Sequence, residues 1–174
     1  MRIKRILVPV DFSPNAMRAL DYALDFSKEF GAQISVLYVV EPIYYAVPDF
    51  SGSPAMGQLL TEQMSSARSQ LAQLERRYAK RRVKLRAFLQ TGTAYEAIGE
   101  TAKQVKADLI VMATHGRTGV THLLLGSVAE RVVRTAPCPV LTLRPGQPRR
   151  RAASRSRGGR PKNRSGRRAT AARR

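Results

Sequence analysis

Leu109–Ser127, LIVMATHGRTGVTHLLLGS, is the stretch on which the fold turns. It opens as a short apolar run and breaks at a loop holding Gly116 and Gly119. Gly126-Ser127 then precedes a helical pattern. A buried strand that runs into a glycine-bearing loop and then a helix start is the element with which α/β proteins hold anions.

On the C-terminal side, Ser127–Thr135 reads as a helix with Val128, Val132 and Val133 turned inward, and Pro139–Leu143 as a short last strand. Cys138, the only cysteine, leads into that strand and reads as a small buried hydrophobe. A single cysteine also excludes an intrachain disulfide and a thiolate metal site.

Towards the N-terminus, Asp108–Ala113 is the most uniformly apolar strand and is expected at the sheet's centre. Before it, Thr93-Ala-Tyr-Glu96 has the form of a capping box, opening a helix through Ile98, Ala102 and Val105. Val83–Gln90 alternates apolar and polar residues, as expected of a strand near a sheet edge. A helix is expected from Gln58 to about Arg82, with one stripe formed by Leu60, Met64, Ala67, Leu71, Leu74 and Tyr78. The basic run Lys80-Arg81-Arg82 would fall in its last turn and complement the helix dipole.

Glu41–Gly57 carries three prolines and no hydrophobic period, and reads as a loop or lid beside the carboxyl edge of the sheet. Gln33–Val40 is a strand. Ser13-Pro14 starts a helix with a serine cap and a proline at the first position. Ala16, Leu20, Ala23, Leu24 and Ser27 give that helix its inner face, and Gly31 ends it. Ile3–Val10 is a buried strand whose ladder should stop at Pro9, so that Val10-Asp11 begins a loop. The expected architecture is α/β: a doubly wound, five-stranded parallel sheet of Rossmann-like type with helices on both faces. Its crevice should gather Asp11, Val39–Glu41 and Ala113–Gly119 at the carboxyl ends of the strands.

Charge divides the chain in two. Of 31 basic residues, 13 lie in Arg144–Arg174, where Asp and Glu are absent; the remainder holds 18 basic and 12 acidic residues. We expect a folded domain over residues 1–143 and a disordered Arg-rich tail over 144–174, which lacks Leu, Ile, Val and Phe. Such a tail suits weak, nonspecific contact with nucleic acid or another polyanion; a solubilising extension is the other reading. No apolar run reaches the roughly 18–20 residues that span a bilayer. Asp11 interrupts the N-terminal apolar run, which reads as a strand rather than a signal peptide, and a cytoplasmic location is expected.

Gly116, Gly119, Gly126 and Ser127 read either as turn glycines and a cap serine or as two clusters of backbone N–H groups for successive phosphates. Asp11 reads as a turn carboxylate, or as a group for ribose hydroxyls or a weakly held divalent cation. His115 lies in the loop, and His122 reads as a surface residue. No nucleophile elbow or acid/base carboxylate pair is visible, so no catalytic residue is assigned.

Ile6–Ser13 (ILVPVDFS), Met112–Gly119, Leu123–Glu130 (LLLGSVAE) and Ala136–Val140 (APCPV) occur here in one order. Together they resemble the universal stress protein family over Met1–Arg144. That family's nucleotide-binding branch carries a loop Gly-x2-Gly-x9-Gly-Ser/Thr. Gly116 and Gly126-Ser127 match it, while Ala113 stands at the first glycine. The resemblance implies ATP, with Mg2+, held by Pro9, Val10, Asp11, Val39, Met112, Ala113, His115, Gly116, Arg117, Gly126, Ser127 and Val128. Within that set, Val39 would offer backbone hydrogen bonds to adenine and Asp11 would lie near the metal. It further implies a homodimer through strand Val140–Leu143, and a stress-response regulator or sensor with at most slow hydrolysis. The alternative is a dimeric interaction protein without nucleotide, whose basic tail contacts a polyanion.

Overall fold

Ile6, Leu7 and Val8, three successive residues of the first strand, expose no surface at all in the computed structural model, which describes residues 2–42, 54–79, 83–114 and 125–144. A strand buried on both faces needs a partner along each edge and a layer over each face. The chain supplies them in the order β1 (Arg5–Pro9), α1 (Pro14–Phe30), β2 (Gln33–Val40), α2 (Pro54–Ala79), β3 (Leu85–Thr91), α3 (Ala94–Gln104), β4 (Leu109–Ala113), α4 (Ser127–Thr135) and β5 (Val140–Leu143). The sheet is parallel throughout, with strand order β3-β2-β1-β4-β5.

The pleat sends alternate residues of β1 to different cores. Ile6 and Val8 join Leu20 and Leu24 of α1, Leu71 and Leu74 of α2, and Val111. Leu7 joins Leu37, Ile98 and Ala102 of α3, and Ala129 and Val132 of α4. The expected doubly wound sheet is therefore present. No described helix is long and apolar enough to cross a membrane.

Local chemistry sets the element ends. Ser13 caps α1 by accepting from the Ala16 N–H at 3.2 Å, with Pro14 opening the helix. Gly31 closes it in the left-handed conformation, at φ 66°. Below it, Ser27 Oγ donates to the Ala32 carbonyl at 2.7 Å. At the start of β4, one carboxylate oxygen of Asp108 accepts from the N–H of Lys4 and of Arg5, both at 2.9 Å. The Asp108 N–H in turn donates to the Arg5 carbonyl, tying β4 to β1 before their ladder begins. At one edge of the sheet, the outward N–H of Ala87 in β3 donates to Glu75 of α2 at 2.8 Å.

Five expectations need correction. The central strand is β1, and β4 lies one place outward, because β1 must be flanked by both β2 and β4. Helix α2 begins at Pro54, within the stretch read as loop, since proline is well suited to a first helical turn. Thr93 makes no side-chain cap, and Glu96 accepts from the Tyr95 hydroxyl instead of completing a capping box; separately, Glu41 takes the Ala94 N–H at 2.8 Å. Val133 is 48% exposed; α4 buries Ala129 and Val132 on one face instead. The first, third, fourth and fifth strands start at Arg5, Leu85, Leu109 and Val140, slightly inside the expected ranges. The lid segment 43–53 and the basic run Lys80-Arg81-Arg82 lie outside the described residues.

Burial tends to raise the pKa of Asp108, but the two backbone N–H bonds and the Arg5 guanidinium outweigh it, holding the carboxyl below its ordinary 3.8. A carboxyl lowered by folding stabilises the native state above the unfolded pKa. That contribution is lost as the pH falls through the folded value. In urea titrations, wild type should be more stable than Asp108→Asn at neutral pH. The gap should close as the pH drops below about 3.8; a gap of constant size would refute the assignment.

Candidate functional site

Strand order β3-β2-β1-β4-β5 reverses direction between β1 and β4. The connections leaving these two strands pass to opposite faces of the sheet, so a crevice opens at their carboxyl ends. Residues Pro9–Ser13 form one wall and Met112–Thr114 begin the other.

On the β1 wall, Pro9 ends the strand as expected. Val10 is buried and its N–H still donates to the Leu37 carbonyl at 2.8 Å. One Asp11 carboxylate oxygen then accepts from the Ser13 N–H at 2.9 Å, fastening the turn into α1. Between them Phe12 adopts φ 60°, a left-handed conformation that costs a non-glycine residue about 1–2 kcal/mol. Its ring lies 5.2 Å from that of Tyr38 in β2. The turn is therefore over-determined by the Asp11 bond, the Ser13 cap and an aromatic contact, which keeps Asp11 at the crevice mouth.

Val39 stands near the end of β2. Gln33 donates to Lys4 and Leu37 accepts from Val10, so the odd-numbered backbone groups of β2 face β1. The β1–β2 register ends at Pro9 opposite Leu37. The backbone groups of Val39 thus face the β1 side beyond the last paired position, at the crevice.

On the opposite wall, Met112 is buried and Ala113 ends β4 opposite Leu143. Extended strand backbone makes no demand for glycine, so alanine at this position is conformationally unstrained. Buried Thr114 follows; its N–H donates to the Leu143 carbonyl at 2.9 Å and its hydroxyl lies 3.2 Å from the same oxygen. The Thr114 carbonyl accepts from the Gly126 N–H at 2.8 Å, which pins the two ends of the intervening segment together. His115, Gly116 and Arg117, with Gly119 and His122, lie outside the described residues.

Gly126 is the N-cap of α4 at φ −67° and ψ 152°. Any residue adopts that conformation, so glycine contributes the absence of a side chain rather than backbone freedom. As a glycine it has no side chain with which to cap this helix. The first-turn N–H groups of Ser127, Val128 and Ala129 therefore receive no bond from an N-cap side chain, and the helix dipole adds partial positive charge there. By contrast, α1 carries a serine cap at the equivalent point after β1. The arrangement offers anion-binding amides on one side of the switch point and a carboxylate on the other.

Among the described residues no cluster of three His, Cys, Asp or Glu forms a metal site. Cys138 is half-buried rather than buried as expected; the burial it has pushes its thiol upward and the Asp108 charge adds to it, as befits a packing residue rather than a nucleophile. Sequence reading gave no role to Phe12, and none to Thr114 beyond its place in Ala113–Gly119. A bulky left-handed residue leaves no sequence signature, and a threonine after a strand is ordinary; only the Asp-x-Ser spacing hinted at a tight turn.

The fold is shared with known proteins. A model of the universal stress protein family matches residues 2–144. The universal stress protein MJ0531 of Methanocaldococcus jannaschii is 37% identical over 147 residues, covering 81% of this chain and 82% of its own. A universal stress protein of Thermus aquaticus is 38% identical over 141 residues, covering 81% of this chain and 98% of its own. The structure of universal stress protein UspA from Lactobacillus plantarum superposes with a TM-score of 0.73 at 30% identity, over 83% of this chain and 99% of that one.

Proposed function

The chain belongs to the universal stress protein family, and we propose that it is an ATP-binding member acting as a stress-response regulator or sensor, with little or no hydrolysis of its own. The observation that carries this reading is the pairing, across the switch point, of an α4 N-terminus whose N-cap is a glycine with the fastened Asp11 turn. Two universal stress protein structures of the same fold are complexes with cAMP, at 22% identity and a TM-score of 0.60, and with dAMP, at 23% and 0.57.

In this reading the phosphates lie on the amides following Gly126, joined by Gly116 and the side chains of His115, Arg117 and Ser127. Pro9, Val10, Met112, Ala113 and Val128 wall the crevice, and Val39 meets the adenine edge through its backbone. Asp11 faces the ribose or a Mg2+ ion carried by the phosphates. One Asp11 oxygen accepts from the Ser13 N–H, which holds the carboxylate in place for that role. In this reading hydrolysis is slow or absent, as suits a sensor.

Denatured protein should release adenine nucleotide, detected by chromatography, and calorimetry should show Mg-ATP binding. Gly126→Leu should weaken that binding tenfold or more with an unchanged circular dichroism spectrum, because a side chain there crowds the phosphate amides. No released nucleotide and no heat at millimolar Mg-ATP would refute the reading.

The sheet edges support a homodimer through Val140–Leu143. On β3 the outward Ala87 N–H is occupied by Glu75. On β5, Leu143 and Pro139 turn their carbonyls to β4, so the N–H groups of Val140 and Thr142 face outward. Among the described residues no side chain covers them, and an apolar edge of this kind invites a second copy. Thr142→Pro removes an outward N–H while sparing the inward ladder. Light scattering should find wild type near twice 19.3 kDa and the variant near 19.3 kDa.

The 13 basic residues of Arg144–Arg174 favour a second activity, nonspecific polyanion contact. Deleting 145–174 should lower gel-shift affinity for mixed-sequence DNA and flatten its salt dependence; unchanged affinity would leave the tail a solubilising extension.

A further inference from the structure

At the opposite pole from the crevice, a cleft of about 500 Å3 lies among the amino ends of β1, β2 and β3 and the carboxyl end of α3. Arg5, Lys84 and Arg86 line it, and no described carboxylate does. Asp108 is engaged with the backbone of Lys4 and Arg5 and lies 3.6 Å from Arg5 Nη2. Arg5 Nε is buried without an acceptor among the described residues.

The cleft also contains an aromatic platform. The Arg86 guanidinium sits 5.1 Å from the Phe88 ring centroid. Register places Ser35 beside Arg86 and Leu37 beside Phe88, so these residues share the sheet face that carries α3. Helix α2 covers the other face of β3, while α3 packs on β2 and α4. The corner bearing Lys84, Arg86 and Phe88 is thus left beside α3 rather than beneath it.

We propose that this cleft binds single-stranded nucleic acid. Lys84, Arg86 and Arg5 meet successive phosphates, and one base stacks on the Phe88–Arg86 pair. The amides of Gln33 and Gln104, which also line the cleft, bond base or sugar edges. The volume lies within the range of roughly 300–1,000 Å3 common for small-ligand pockets, fitting a nucleotide unit and not a duplex. An acidic peptide would use the cations but leave the aromatic pair without a role.

The test uses the full chain with a fluorescent 12-nucleotide mixed-sequence DNA and a 4-thiothymidine version for photocrosslinking. Crosslinks should map to Phe88 and to the start of β2, apart from any in 144–174. In anisotropy titrations the double variant Lys84→Glu, Arg86→Glu should bind at least tenfold more weakly. Its log–log salt slope should fall by about 1.4, the value for two lost single-strand phosphate contacts. Phe88→Leu should weaken binding about fivefold or more with the slope unchanged. Circular dichroism should show both variants folded. Crosslinks confined to 144–174, variants indistinguishable from wild type, equal affinity for a 12-base-pair duplex, or equal competition by poly-glutamate would each overturn the proposal.

Discussion

The double-sided burial of Ile6, Leu7 and Val8 is the constraint from which the rest of the structure follows. A strand that can show neither face to water must be covered by two helix layers, and β1 divides its side chains between both cores. The position of β1 between β2 and β4 places the reversal of strand order in the middle of the sheet. The crevice is a geometric result of that reversal, before any residue in it is chosen for binding.

The two ends of the parallel sheet are chemically unlike because every strand points the same way. At the carboxyl ends, helix starts and a fastened carboxylate face the crevice. At the amino ends, Asp108 locks β1 to β4, and the cations around β3 have few acids beside them. Side chains from distant parts of the sequence converge at each pole without a dedicated motif. Arg5 and Arg86 share one cleft only because β2 lies between their strands.

Most of the fold was legible from hydrophobic period. Uniform apolar runs marked β1 and β4, steps of three and four marked α1 and α2, and Gly31 and Ser13-Pro14 marked helix ends. Failures arose where spacing did not decide the contact made. Thr93 and Glu96 have capping-box spacing, yet Thr93 makes no side-chain cap and Glu96 accepts from the Tyr95 hydroxyl. Val133 looked apolar and inward, but a nine-residue helix against one sheet face buries a narrow stripe centred on Ala129 and Val132. Of the candidate site, Gly126, Ser127 and Asp11 were legible through turn chemistry. The left-handed Phe12 and the Thr114 clasp to Leu143 were not, because both depend on strands that meet only in the folded sheet.

The carboxylate of Glu75 on Ala87 bears on how many copies can join. A parallel sheet with two open edges can add copies head to tail without limit, which is the geometry of a filament. Occupying the Ala87 N–H from within the same molecule removes one rung that strand addition at the β3 edge would need. In the proposed dimer, two copies meeting through the same β5 edge would use up each other's open surface, and strand-to-strand association would close on itself. One glutamate on a helix would thus favour a finite assembly over a fibre.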